Sequence, residues 1–260
     1  MSQLAEKPTI DNARPVEFTY SPDDYEVAMD PERAWMRLNQ VSIPDHAAIN
    51  DAQDPSVARA VSLLKSRLLR QTRQSAIKRL AITAPTQECS AQELCAHLAL
   101  SLARQPDLKI MLFDFDLRDP KLSSYFGLAS VSPIWSALAG TRREFDSSCL
   151  KVGHNLGLSL STQPSENPAE SLATLRALNL IDEIDRDFAP DLMLFNLPPV
   201  LSTEDAVSAA GLYDAALLVA RADHTTRSQI DRTETLIAEQ KPCIGVVLTH
   251  CRFVDDHATG

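Results

Sequence analysis

The amino-acid sequence predicts an α/β protein, a doubly wound and mostly parallel sheet preceded by an N-terminal extension. Two observations carry this. Short runs that are apolar at every position recur along the chain, as strands covered on both faces require. Amphipathic segments of helical length separate them, which is the alternation of a parallel sheet with crossover helices. In order, residues 1–54 are rich in Pro, Asp and Asn and read as a flexible arm with one short amphipathic piece at 31–38. Asp54-Pro55-Ser56 opens a helix over 57–72, apolar at Val61, Leu64 and Leu68 and basic at Arg59, Lys65, Arg67, Arg70 and Arg73. Strand 79–83, helix 91–104 and strand 109–115 follow, then a loop over 116–121. A short helix over 132–139 stops at Gly140, and 156–160 reads as a strand. Helix 171–187, strand 191–196, helix 203–211, strand 215–220, helix 226–240 and strand 244–249 complete the series. The folded unit is therefore expected over 55–252, with a short polar tail at 253–260.

A 44% hydrophobic content in 260 residues is enough for a sizeable core. The net charge of −10 disfavours a nucleic-acid groove and direct electrostatic adhesion to an anionic membrane. No apolar run has the length of a membrane helix, and the first residues lack a signal-peptide core. Five scattered cysteines, an odd number without metal spacing, read as reduced thiols of a cytoplasmic protein. Glycine is scarce: there are 7, and the first is Gly127.

That scarcity bears on the join between strand 79–83 and helix 91–104. A strand, loop and helix at this point would suit a phosphate cradle, which needs glycines, a lysine and a Mg²⁺-binding hydroxyl. The loop instead reads Pro85-Thr86-Gln87-Glu88-Cys89-Ser90-Ala91-Gln92, and Glu88 adds a negative charge where phosphate would sit. Downstream, Asp114-Phe115-Asp116-Leu117-Arg118-Asp119-Pro120 leaves a strand at its carboxyl end, where such sheets place ligands. Asp114 and Asp116 suit Mg²⁺ or the orientation of a water; capping of the loop and pairing with Arg118 is the alternative. LMLFNLPPV at 192–200 ends its strand on Asn196, a neutral amide where a Mg²⁺-supporting carboxylate would be expected. Asn167-Pro168-Ala169-Glu170 is a helix start. Cys89, Cys95 and His97 lack the spacing and the fourth ligand of a zinc site, and Asp223-His224-Thr225 reads as a loop cap.

Taken together, the ordered segments at 80–103, 111–128, 167–170, 194–206, 213–226 and 244–248 resemble the bacterial tyrosine autokinases of capsule and exopolysaccharide synthesis. These are relatives of the deviant-Walker P-loop ATPases of the Min and Par type. The resemblance implies a P-loop NTPase-like fold over 55–252. It puts the first Walker motif on 84–92, with glycines expected at Glu88 and Ser90, the lysine at Ala91 and the Mg²⁺-binding hydroxyl at Gln92. It puts the second acidic motif on Asp114 and Asp116, with Arg118 and Pro120 in place, and the Walker B acid on Asn196. The family's oligomerising helix falls on 57–70, where its Glu-x-x-Arg-x-x-Arg pattern reads Arg59, Ser62, Lys65; a homo-oligomer stays open. No tyrosine follows Tyr213, so the family's C-terminal tyrosine cluster is missing from this sequence. Each lost transition-state stabiliser typically costs about 10²- to 10³-fold. The resemblance thus implies a catalytically degenerate member that uses no nucleotide cofactor. Its implied partner is a membrane polysaccharide co-polymerase or an active tyrosine kinase, which would recruit it from the cytoplasm to the inner membrane. The alternative is an active ATP- and Mg²⁺-dependent tyrosine kinase in which Asp114, Asp116 and another cation such as Lys121 serve an unorthodox phosphate loop.

Overall fold

The computed structural model describes residues 30–45, 47–51 and 55–251. Residues 1–29 of the proposed arm and the tail from 252 onward lie outside them. Eight strands form one sheet in the order β1-β4-β5-β3-β6-β2-β7-β8. The central strands are β2 (Arg79–Thr83), β3 (Ile110–Asp114), β6 (Leu192–Asn196) and β7 (Ala215–Arg221). All neighbouring strands run parallel except β4 (Leu150–Val152) and β5 (Leu156–Ser159), which form an antiparallel pair. β8 (Cys243–Thr249) closes one edge, with a register irregularity where it meets Ala216 and Leu217.

Alternation along each strand explains the two layers. Leu80, Ile82, Ile110, Leu112, Leu192 and Leu194 point to one face. Ala81, Met111, Phe113, Met193 and Phe195 point to the other. On the second face Phe195 stacks against Phe113 and Phe115 at centroid distances of 5.0 and 5.2 Å. Helices α6 (Ile134–Ala139), α7 (Arg142–Ser148) and α9 (Leu175–Phe188) cover this face. The first face is covered by α4 (Ala91–Ala103), and α3 (Pro55–Gln74) packs outside it. That explains why α4 is apolar around most of its circumference while α3 buries only Val61, Leu68 and Thr72.

Three local readings differ from the sequence expectation. The segment read as an arm contains α1 (Pro31–Arg37), β1 (Asn39–Val41) and α2 (Ala48–Asp51). α1 drives Trp35 into the core at 2% exposure, where its indole donates to the Phe188 carbonyl at 2.9 Å; β1 pairs with β4. The helix expected at 171–187 divides into α8 (Pro168–Leu172) and α9, because Thr174 caps α9 by accepting from the Ala177 N–H. The helix expected at 203–211 is one turn, α10 (Asp205–Ser208), followed by a 3₁₀ turn over Ala209–Leu212. α5 (Leu122–Tyr125) and α11 (Arg227–Ala238) complete the helices.

Candidate functional site

The carboxyl ends of β2, β3 and β6 converge on the loop 84–90 and the start of α4. The loop is held from behind by the β6 exit turn. Leu197 N–H donates to Ile82, Val200 N–H to Ala84 and Leu201 N–H to Pro85, at 3.0, 2.9 and 3.2 Å, while Thr83 Oγ1 donates to the Pro198 carbonyl at 2.7 Å. The two prolines thus fix the wall against which the loop lies. Gln87–Cys89 forms a 3₁₀ turn, and Ser90 then takes φ +58°, ψ 35°. A serine therefore occupies a left-handed position that normally favours glycine, at one of the two places where the resemblance expects one.

A cavity of about 140 Å³ opens here, lined among others by Thr86, Gln87, Ser90, Ala91, Gln92 and Asp116, with Lys121 and Tyr125 on its far side. Sites for small organic ligands are commonly about 300–1,000 Å³, so the cavity is small for a whole nucleotide. Gln92 Nε2 donates to Asp116 Oδ2 at 2.7 Å, and Asp116 Oδ1 accepts from the Asp119 N–H at 3.3 Å. Deeper, Asn196 Nδ2 donates to Asp114 Oδ1 at 2.8 Å, while Asp114 Oδ2 accepts from the Leu122 N–H at 3.2 Å. Asp114 and Asn196 are both fully buried. Burial pushes the Asp114 carboxyl up to about 7, opposed first by the Asn196 amide and reinforced by Asp116. Burial likewise raises Asp116 to about 6, against the Asp119 N–H and the Gln92 amide.

Several sequence-derived placements change. Of the acidic pair only Asp116 reaches the cavity; Asp114 and Asn196 lie beneath it. Glu88 does not line the cavity. The 3₁₀ turn aims it outward, where its own backbone and Thr86 hold its carboxyl below the usual range with help from His224 and Arg221. Cys89 is buried, with Sγ 3.3 Å from Thr225 Oγ1, and takes no part in the lining. Arg118 pairs with neither Asp114 nor Asp116. Its Nε and Nη2 clasp Asp205 of α10 at 2.6 and 2.9 Å, and Asp205 is fully buried. This clasp was invisible in the sequence, because its halves are 87 residues apart. Lys121 lines the cavity and pairs with Asp119. Among the described residues no group of three or more His, Cys, Asp or Glu is placed to hold a metal ion.

Mg²⁺ requires several oxygen ligands with carboxylate charge. Here each carboxylate accepts an N–H from a side-chain amide, at positions where the resemblance expects a hydroxyl and an acid. Asp114 is moreover inclined to hold its proton. Both carboxylates are paired internally, Asn196 Oδ1 is buried without a partner among the described residues, and the carboxylate charge left open is less than a magnesium site requires.

No protein-family model matches the chain. It is 28% identical over 180 residues to the putative tyrosine-protein kinase EpsB of Ralstonia solanacearum, covering 69% of this chain and 24% of that protein. Its relatives are bacterial tyrosine-protein kinases. The chain thus spans about a quarter of the tyrosine-kinase relative EpsB. The chimerical protein CapA2B2 superposes with a TM-score of 0.68 at 20% identity, over 81% of this chain and 92% of that one. The septum site-determining protein MinD of Pyrococcus horikoshii gives 0.54 at 17% identity, over 66% of this chain and 69% of that one. The fold is that of these tyrosine-kinase and MinD-like P-loop proteins. No helix among the described residues is long and apolar enough to cross a membrane.

Proposed function

We propose that this chain is a catalytically degenerate tyrosine-kinase-like protein that acts by binding, as a regulatory component of exopolysaccharide or capsule assembly and export. One observation carries the reading: both carboxylates that would serve a metal are tied to amides, Gln92 on Asp116 and Asn196 on Asp114. Ala91, which stands at the lysine position, lines the cavity with a methyl group and supplies no charge. Its docking partner is a membrane chain-length regulator or an active tyrosine kinase of the same pathway, with recruitment from the cytoplasm to the membrane. Arg118 serves the fold in this reading, locking the acidic loop to α10 through Asp205.

Isothermal titration with ATP and Mg²⁺, run beside a phosphotyrosine immunoblot, tests the proposal. Absence of both micromolar binding and turnover is expected; micromolar binding with tyrosine phosphorylation overturns it. One observation favours the active alternative. Lys121 lines the same cavity as Ala91 and Asp116, and is the cation best placed to substitute for a phosphate-loop lysine. A Lys121→Met variant that abolished any measured turnover would establish that reading.

A further inference from the structure

On the sheet face opposite α4, the groove between α7 and α9 forms an open cleft of about 700 Å³. Four arginines line it, Arg142 and Arg143 from α7 and Arg176 and Arg186 from α9, in a chain whose net charge is −10. The helical repeat explains the concentration. Arg176, Leu180, Glu183 and Asp187 follow at steps of four, three and four along α9, so one stripe of that helix faces the cleft.

Arg142 is the fixed point. Its side chain is 7% exposed, its Nε donates to Asp146 at 2.9 Å and its Nη1 to Asp187 at 2.8 Å, and its Cζ sits 4.6 Å from the Phe188 ring centroid. Its Nη2, also buried, has no hydrogen-bond partner among the described residues. A buried guanidinium N–H without an acceptor is costly, and Arg142, closed to solvent at this atom, contributes fixed positive charge to the cleft wall. The lining sets four arginines against two acids, Glu183 and Asp187, with Asp146 outside the lining also paired to Arg142. Asp187 is shared between Arg142 and Arg186. Neither Arg143 nor Arg176 forms an ion pair among the described residues, although Arg176 Nη1 donates to the Ala139 carbonyl at the end of α6, and Glu183 is the remaining acid of the lining.

We propose that this cleft binds a phosphate monoester carried on a tyrosine side chain of a partner polypeptide. Guanidinium groups bind phosphate through paired N–H donors, and a monoester brings close to two negative charges. The volume exceeds what a bare ion needs and suits an aromatic side chain with its neighbours, with Leu180 in the wall. The phosphate half of the inference stands on the arginines. The tyrosine half rests on the reading that the chain works beside an active tyrosine kinase.

The test uses the full chain and fluorescence anisotropy with three labelled peptides of one sequence, bearing phosphotyrosine, phosphoserine or tyrosine, with inorganic phosphate as competitor. Binding of the phosphotyrosine peptide at least about tenfold tighter than the other two is expected. Arg143→Ala and Arg176→Ala should each weaken it by roughly tenfold with circular dichroism unchanged, and Arg143→Ala, which removes no hydrogen bond found among the described residues, should also leave melting unchanged. Arg142 is left intact because its removal would disturb the core. Equal binding of the three peptides, insensitivity to both substitutions, or competition by inorganic phosphate at the peptide's own concentration would overturn the proposal. ATP turnover in the preceding assay would remove the binding-only reading, and the peptide result would still be decided by these variants alone.

Discussion

Asn196→Asp would place a second carboxylate against Asp114 in a position closed to water. The native amide donates across 2.8 Å, and both residues are fully buried. With both acids ionised, like charges about 3 Å apart at an effective dielectric near 20 repel by on the order of 5 kcal/mol. The pair escapes by keeping one proton, which replaces the lost N–H with an O–H. Asp114 already titrates near 7, raised first by burial, and the Asn196 amide is the main influence holding it down. Removing that influence raises the shared proton's pKa further. A carboxyl whose folded pKa exceeds its unfolded value of about 4 loses stability as pH rises between the two, and the loss is complete above the folded value. Wild-type Asp114 follows the same course up to about 7, so the penalty relative to wild type should be nearly constant below pH 7 and grow above it by about 1.4 kcal/mol per pH unit, reaching about 3 kcal/mol more by pH 9. At roughly 2–4 °C per kcal/mol for a chain of this size, the Tm difference should widen by about 5–10 °C between pH 7 and 9. Paired calorimetric scans across this range measure it. A penalty that stays constant from pH 7 to 9, or none at all, would refute the reasoning.

Three further outcomes are expected. In wild type, carboxyl NMR titrations should place Asp114 near 7 and Asp116 near 6, and stability should decline as pH rises from about 4 to 7 because the folded state holds these protons more tightly; titration of both below 5 would contradict their burial. Ser90→Gly should be neutral or stabilising by about 0.5 kcal/mol in urea unfolding while Ser90→Val costs about 1–2 kcal/mol, since φ is +58°; equal effects would remove the strain argument. Trp35→Ala should cost about 3–5 kcal/mol in the same assay, as for a core aromatic; a change under about 1 kcal/mol would mean that α1 is not integral to the domain.

The central strands were legible because β2, β3 and β6 are apolar on both faces, a pattern that local sequence carries by itself. That residues 84–92 contain neither glycine nor lysine is likewise a property of local sequence. What the sequence could not convey is how neutral side chains satisfy the acids. Gln92 meets Asp116 across 24 residues and Asn196 meets Asp114 across 82, and neither pairing leaves a periodic trace. Glu88 was misplaced because a 3₁₀ turn of three residues decides its direction. α1 escaped notice as a core element because a helix of seven residues buries only Ala34 and Trp35, too few to show through a Pro- and Asp-rich stretch.

The indole of Trp35 meets the Phe188 carbonyl across 153 residues of sequence. At synthesis rates of about 5–20 residues per second, the N-terminal edge waits roughly 8–30 s for its partner to leave the ribosome. β1 depends in the same way on β4, more than a hundred residues downstream. α1 and β1 thus dock only after α9 and β4 have been made, and during that interval their apolar groups are available to chaperones. In a Trp135→Phe background, Trp35 fluorescence is accordingly a reporter of this docking step, and its signal should lag behind the formation of the central strands.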